Sequence, residues 1–174
     1  GAMYAKGEGV PQNYEQAFVW FLLAAAQGDV FAQTNLGFLY AKGDGVPQEY
    51  KEASGWFLKA GLQGDASAQA SLGLMYRRGL GVPQDYKESI KWYRKAAEQG
   101  NESSQFYLGL MYRQGLGLVR KDYIEALSWF RKSAEQGNAV GQRTVGFLYL
   151  VGDGVSRDPV KGLEWTQKAA AQGD

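Results

Sequence analysis

Tryptophan stands at positions 20, 56, 92, 129 and 165, so the gaps run 36, 36, 37 and 36 residues. A fixed period of this length means a stack of like units, each too small to bury its own apolar face, and a column that recurs is explained first by the unit it builds. Leu36-Gly37 returns as Leu72-Gly73, Leu108-Gly109 and Val145-Gly146, followed three residues later by Tyr40, Tyr76, Tyr112 and Tyr149. A second segment carries Ala17, Trp20, Phe21 and Ala24, then Ala53, Trp56, Phe57 and Ala60. Its i, i+3, i+4, i+7 spacing is an apolar helical stripe. Each unit is therefore two helices.

Asn13, Glu49, Asp85, Asp122 and Asp158 precede the second helices, and Gln16, Glu52, Glu88 and Glu125 follow three residues on, as in a capping box. Glu49 is the poorest cap, and Lys161 breaks the pattern. Pro159 falls on a first helical position, where its missing N–H costs nothing. Gly28, Gly64, Gly100, Gly137 and Gly173 fit helix ends that need positive φ, and the Asp or Asn after each can cap the next helix. First helices are predicted near 30–42, 66–78, 102–114 and 139–151, and second helices near 14–26, 50–62, 86–98, 123–135 and 159–171.

The motif L-G-x-x-Y-x-x-G-x-G-V-x-x-(D/N/E)-Y-x-x-(A/S)-x-x-W-(F/Y) runs from Leu72 to Tyr93. With it the chain resembles the Sel1-like repeat family, relatives of tetratricopeptide repeats, over essentially its whole length. The resemblance implies an all-α fold, a right-handed α-solenoid superhelix of antiparallel helix pairs whose first helices line a concave face. It also implies a bacterial style of protein and an adaptor role, holding other proteins together. One array is expected over 1–174: a partial unit 1–28, then units 29–64, 65–100, 101–137 and 138–173. Gly1-Ala2-Met3-Tyr4 aligns with Gly37-Phe38-Leu39-Tyr40, so the chain opens in mid-unit and reads as a piece of a longer protein. Periplasmic, secreted and cytoplasmic placements all fit.

The chain has no cysteine and no histidine. Cys-His and Ser-His nucleophile pairs, an imidazole base and the usual zinc ligands are thereby excluded, and neither a cofactor nor an enzymatic activity is expected. A cysteine-rich branch of the family has been discussed as penicillin-binding; its disulfide cysteines, Ser-x-x-Lys and Lys-Thr-Gly are missing here. A formal net charge of +1 gives no general field for nucleic acid, and no apolar run is long enough to span a membrane. Gly43-Asp44-Gly45 is followed by Val-Pro-Gln, which suits a turn and matches neither a phosphate loop nor a calcium loop. The Trp and Tyr ladders could stack bases, but their helical spacing marks an inner seam.

Specificity belongs in columns that vary. If the first helices sit as in tetratricopeptide repeats, five columns face the groove: Phe31, Ser67, Ser103, Val140; Thr34, Ala70, Phe106, Arg143; Phe38, Leu74, Leu110, Phe147; Ala41, Arg77, Arg113, Leu150; and Lys42, Arg78, Gln114, Val151. The third is apolar in every unit, either a groove floor or core. Lys42, Arg77, Arg78, Arg113 and Arg143 carry the charge, with no acid among the twenty positions. Such a stripe suits an acidic, partly hydrophobic peptide or a chain-terminal carboxylate, which guanidinium forks bind in pairs of hydrogen bonds. The expected function is a protein-interaction scaffold. Its rivals are binding or weak processing of cell-wall fragments and single-stranded RNA binding, the latter betrayed by a steep salt dependence. Self-association through exposed array ends is a further expectation. The 37-residue gap traces to Gly115-Leu116-Gly117-Leu118-Val119-Arg120, one residue longer than its counterparts and with Arg120 in place of proline, so a local bulge is predicted there.

Overall fold

A computed structural model describes residues 1–117 and 121–173. Ten helices are found among them and no strand. The first helices of successive pairs are α1 (Ala2–Lys6), α3 (Val30–Lys42), α5 (Ala66–Arg78), α7 (Glu102–Gln114) and α9 (Ala139–Val151). The second helices are α2 (Tyr14–Ala26), α4 (Tyr50–Leu62), α6 (Tyr86–Glu98), α8 (Tyr123–Glu135) and α10 (Pro159–Ala170). These are the expected pairs, with α10 one residue shorter. They fall into two compact units, Gly1–Asp85 with α1 to α5 and Tyr86–Asp174 with α6 to α10.

Helix starts are set by side chains. Asn13, Asp122 and Asp158 accept from the backbone N–H three residues on, at 2.9, 2.9 and 3.1 Å, whereas Glu49 makes no such bond. The backbone N–H and then the side chain of Lys161 hold the Asp158 carboxyl below the usual carboxylate range. Asp29, Asp65, Asn101 and Asn138 cap the first helices in the same way, at 2.6 to 2.9 Å. Each cap satisfies one of the orphan N–H groups of a helix start, a contribution of about 1 kcal/mol.

The Leu-Gly column brings the two helices of a pair together. A Cβ at Gly37 would lie 2.5 Å from the Phe57 ring, and one at Gly109 would lie 2.8 Å from that of Phe130. In the last pair Thr166 stands where the other units have an aromatic ring. Gly162 there lets the backbones themselves approach, its carbonyl lying 2.8 Å from where Gly146 would carry a Cβ.

The connecting loop is built from backbone. The N–H groups of Asn13, Glu49, Asp85, Asp122 and Asp158 donate to the carbonyls of Tyr4, Tyr40, Tyr76, Tyr112 and Tyr149, at 2.9 to 3.0 Å. The bulge expected within Gly115 to Arg120 falls in part on residues 118–120, which lie outside the described residues. Gln12, Gln48 and Gln84 donate from Nε2 to the carbonyls of Ala5, Ala41 and Arg77 at the end of the first helix, and Arg157 Nε does so to Leu150. Gly-x-Gly-Val-Pro-Gln is thus a helix stop followed by a cap.

Each unit has its own core. In one, Ala17, Phe21, Ala25, Ala32, Leu36 and Leu39 form a buried cluster on which Trp56 packs from α4. In the other, Ala126, Leu127, Phe130, Ala134, Val145, Leu148 and Tyr149 are joined by Phe106, Leu110 and Trp165. The tryptophan column is core only in part. Trp92 and Trp129 are buried and Trp56 and Trp165 half-buried, but Trp20 is 51% exposed. Trp56 on α4 packs against the cluster that α2 and α3 form, and Trp165 on α10 against that of α8 and α9. Lys59, Lys95, Lys132 and Lys168, each three residues after its tryptophan, lie 3.9 to 4.7 Å from the ring centroids.

One buried column is polar. Gln33, Gln69, Gln105 and Gln142 donate from Nε2 to the carbonyls of Ala25, Gly61, Ala97 and Ala134 near the end of the preceding second helix. Gln63, Gln136 and Gln172 donate in turn to Oε1 of Gln33, Gln105 and Gln142, at 2.8 to 2.9 Å. The Gln33, Gln105 and Gln142 amides are thereby used on both sides, as a low-dielectric position requires. Gln105→Leu removes two hydrogen bonds but leaves the Ala97 carbonyl with the Gly100 N–H and the Gln136 amide with the Gly100 carbonyl, so urea denaturation should show a loss of about 1 to 2 kcal/mol. The exposed Gln114→Leu should stay within about 0.5 kcal/mol; equal effects would remove the relay from the account.

Candidate partner-binding face

The face predicted to bind a partner divides between the two units. In the first, α3 touches α5. Phe38, Lys42 and Arg78 are exposed, Ala70, Leu74 and Arg77 half-buried, and Thr34 buried. Phe38 meets Phe57 edge-on, with centroids 5.1 Å apart, so one side of its ring packs while 36% of the residue stays open. Thr34 is only 6% exposed, so it is not a surface that a partner can touch in this state.

In the second unit Arg143 and Phe147 are exposed, and Phe106, Leu110 and Arg113 are half-buried. Here α7 and α9 supply a direct contact: the Arg113 guanidinium lies 5.7 Å from the Phe147 ring centroid, within cation–π range. Phe147 keeps 46% of its surface open. The third column is therefore neither fully core nor free. Leu74 and Leu110 are half sunk, and the two phenylalanines stand out.

Beside Arg113 the structure adds residues that sequence reasoning passed over. A cleft of about 330 Å³ is lined by Arg113, Gln114, Lys121, Tyr123 and Asp153. Lys121 occupies the position held by Gln12, Gln48 and Gln84 in other repeats, a departure legible in the sequence once that column is known to cap helices. Arg78, Arg113 and Lys121 have no ion pair among the described residues. The face can offer guanidinium and ammonium donors beside apolar rings. It offers no evident nucleophile, and no group of three or more acidic residues that could hold a metal occurs among the described residues.

The columns that build these pairs are also those by which the chain is related to known proteins. The family model for the Sel1 repeat matches residues 1–29, 30–65, 66–101, 102–138 and 139–174. The chain belongs to the Sel1-repeat family. Among solved structures, c5321, a protective antigen present in uropathogenic Escherichia coli strains and displaying an SLR fold, superposes with a TM-score of 0.96 at 42% identity. That match covers 99% of this chain and 37% of the antigen. A Sel1 repeat protein from Oxalobacter formigenes gives 0.92 at 38% identity, over 99% of this chain and 68% of that one. Helicobacter pylori cysteine rich protein B shares the fold at 0.57 and 21% identity, over 73% of this chain and 90% of its own. The curated proteins contain no match. The Sel1 repeats here are thus helix pairs of the solenoid class, and no helix among the described residues is long and apolar enough to cross a membrane.

Proposed function

We propose that this Sel1-repeat array is a non-catalytic scaffold whose first-helix face takes an acidic, partly apolar segment of a partner protein. Protein-interaction scaffolding is the common role of the family, which supports the general reading. The observation that carries the specific one is Arg113 set over the Phe147 ring, a cation held by an apolar surface and left without a carboxylate. An unpaired guanidinium at a half-buried position is costly in isolation, and a partner carboxylate offsets that cost through two parallel hydrogen bonds. Phe38 and Phe147 supply rings on which apolar side chains can settle. Binding of this kind typically falls near micromolar, about −8 kcal/mol.

Arg113→Glu is expected to abolish capture of the native partner in a pull-down while circular dichroism still shows a folded, helical chain. Undiminished capture by the variant removes the α7–α9 face from the binding surface. The rival RNA reading requires affinity that falls steeply with salt, which a titration from low to physiological ionic strength resolves.

A further inference from the structure

In four of the five connecting loops the residue before the helix cap is spent on the fold. Gln12, Gln48, Gln84 and Arg157 each donate to a carbonyl at the end of the preceding first helix, at 2.7 to 2.9 Å. Lys121 stands at the same place in the remaining loop, the one lengthened by a residue, and makes no such bond. It lines instead the cleft of about 330 Å³ that Arg113, Gln114, Tyr123 and Asp153 share with it.

From this we infer that the irregular repeat carries a receptor for a free chain-terminal carboxylate, formed by Arg113 and Lys121 with the Tyr123 hydroxyl beside them. The inference rests on the peptide-binding reading of the first-helix face and names which end of the peptide is held. The Arg113 guanidinium lies 5.7 Å from the Phe147 ring centroid, within cation–π range, and a guanidinium so placed keeps N–H donors for a carboxylate. Lys121 adds a compact ammonium that can reach the same anion. Asp153 also lines the cleft, so two cations oppose one fixed carboxylate and the balance favours one further negative group. Asp153 also disfavours a multiply charged anion such as phosphate relative to a single carboxylate.

The test uses an N-terminally labelled eight-residue peptide of alternating Glu and Leu, prepared with a free C-terminus and as the C-terminal amide, followed by fluorescence anisotropy. The free acid is expected to bind the wild-type chain about tenfold more tightly than the amide. Lys121→Gln, which installs the residue found in three other loops, is expected to remove that preference, leave amide binding unchanged and leave the melting temperature at least as high. Equal binding of acid and amide to the wild type, or equal weakening of both by Lys121→Gln, overturns the carboxylate receptor while the face reading stands. If neither peptide binds, the face reading falls and the receptor with it.

Discussion

Replacing Trp92 by alanine is expected to cost about 3 to 5 kcal/mol of unfolding free energy, read as a lowered urea midpoint. The residue is 4% exposed, and Lys95 lies 4.7 Å from its ring centroid, so truncation removes both close packing and a cation–π contact. Its indole N–H has no acceptor among the described residues, so little hydrogen-bond energy is lost with it. Trp129 differs, donating from Nε1 to Glu125 Oε1 at 2.8 Å. Trp20 is the internal control. With 51% of its surface exposed, Trp20→Ala should cost well under half as much. Equal losses at 20 and 92 would mean that the column acts through local helix propensity and not through burial.

The second large effect is expected at Gly154. Its φ is +75°, and a Cβ placed there would stand 2.3 Å from the carbonyl oxygen of Tyr123, a backbone atom that a rotamer change cannot move aside. Gly45 and Gly81 make the same approach to Tyr14 and Tyr50 in the other unit. Gly154→Ala therefore combines the left-handed strain of an L-residue, about 1 kcal/mol or more, with the displacement of packed backbone, about 1 to 3 kcal/mol. Gly152 separates the two terms. It has a φ of +85° but meets nothing closer than 3.5 Å, so Gly152→Ala should show the strain alone. The difference between their urea midpoints measures the approach of the loop to the start of α8. If the two variants unfold together, that close contact is not a source of stability.

Helix pairs were legible because local signals agreed with one another. A Trp-Phe stripe, an Asp or Asn cap and a positive-φ glycine each act within a few residues, and their recurrence removed the ambiguity a single copy would carry. The face was less legible. Column membership placed Thr34 beside Lys42, yet the fold buries one and exposes the other, because helix orientation decides which edge of a column meets the facing helix. Gln33, Gln105 and Gln142 escaped notice for a different reason. A buried amide looks like a surface residue until a carbonyl and a second glutamine are found at its two ends, and those partners lie 8 and 30 or more residues away.

The sequence by itself determined the repeat, the helix limits and the absence of histidine and cysteine chemistry, since these depend on composition and on interactions within one turn or one loop. Only the tertiary structure decided which tryptophans are covered, which glycines bear backbone against backbone, and that Arg113 leans on Phe147 beside an unspent Lys121. Those properties belong to pairs of residues distant in the chain. Burial and charge pairing are set by what stands opposite, and a periodic sequence presents the same column to different neighbours.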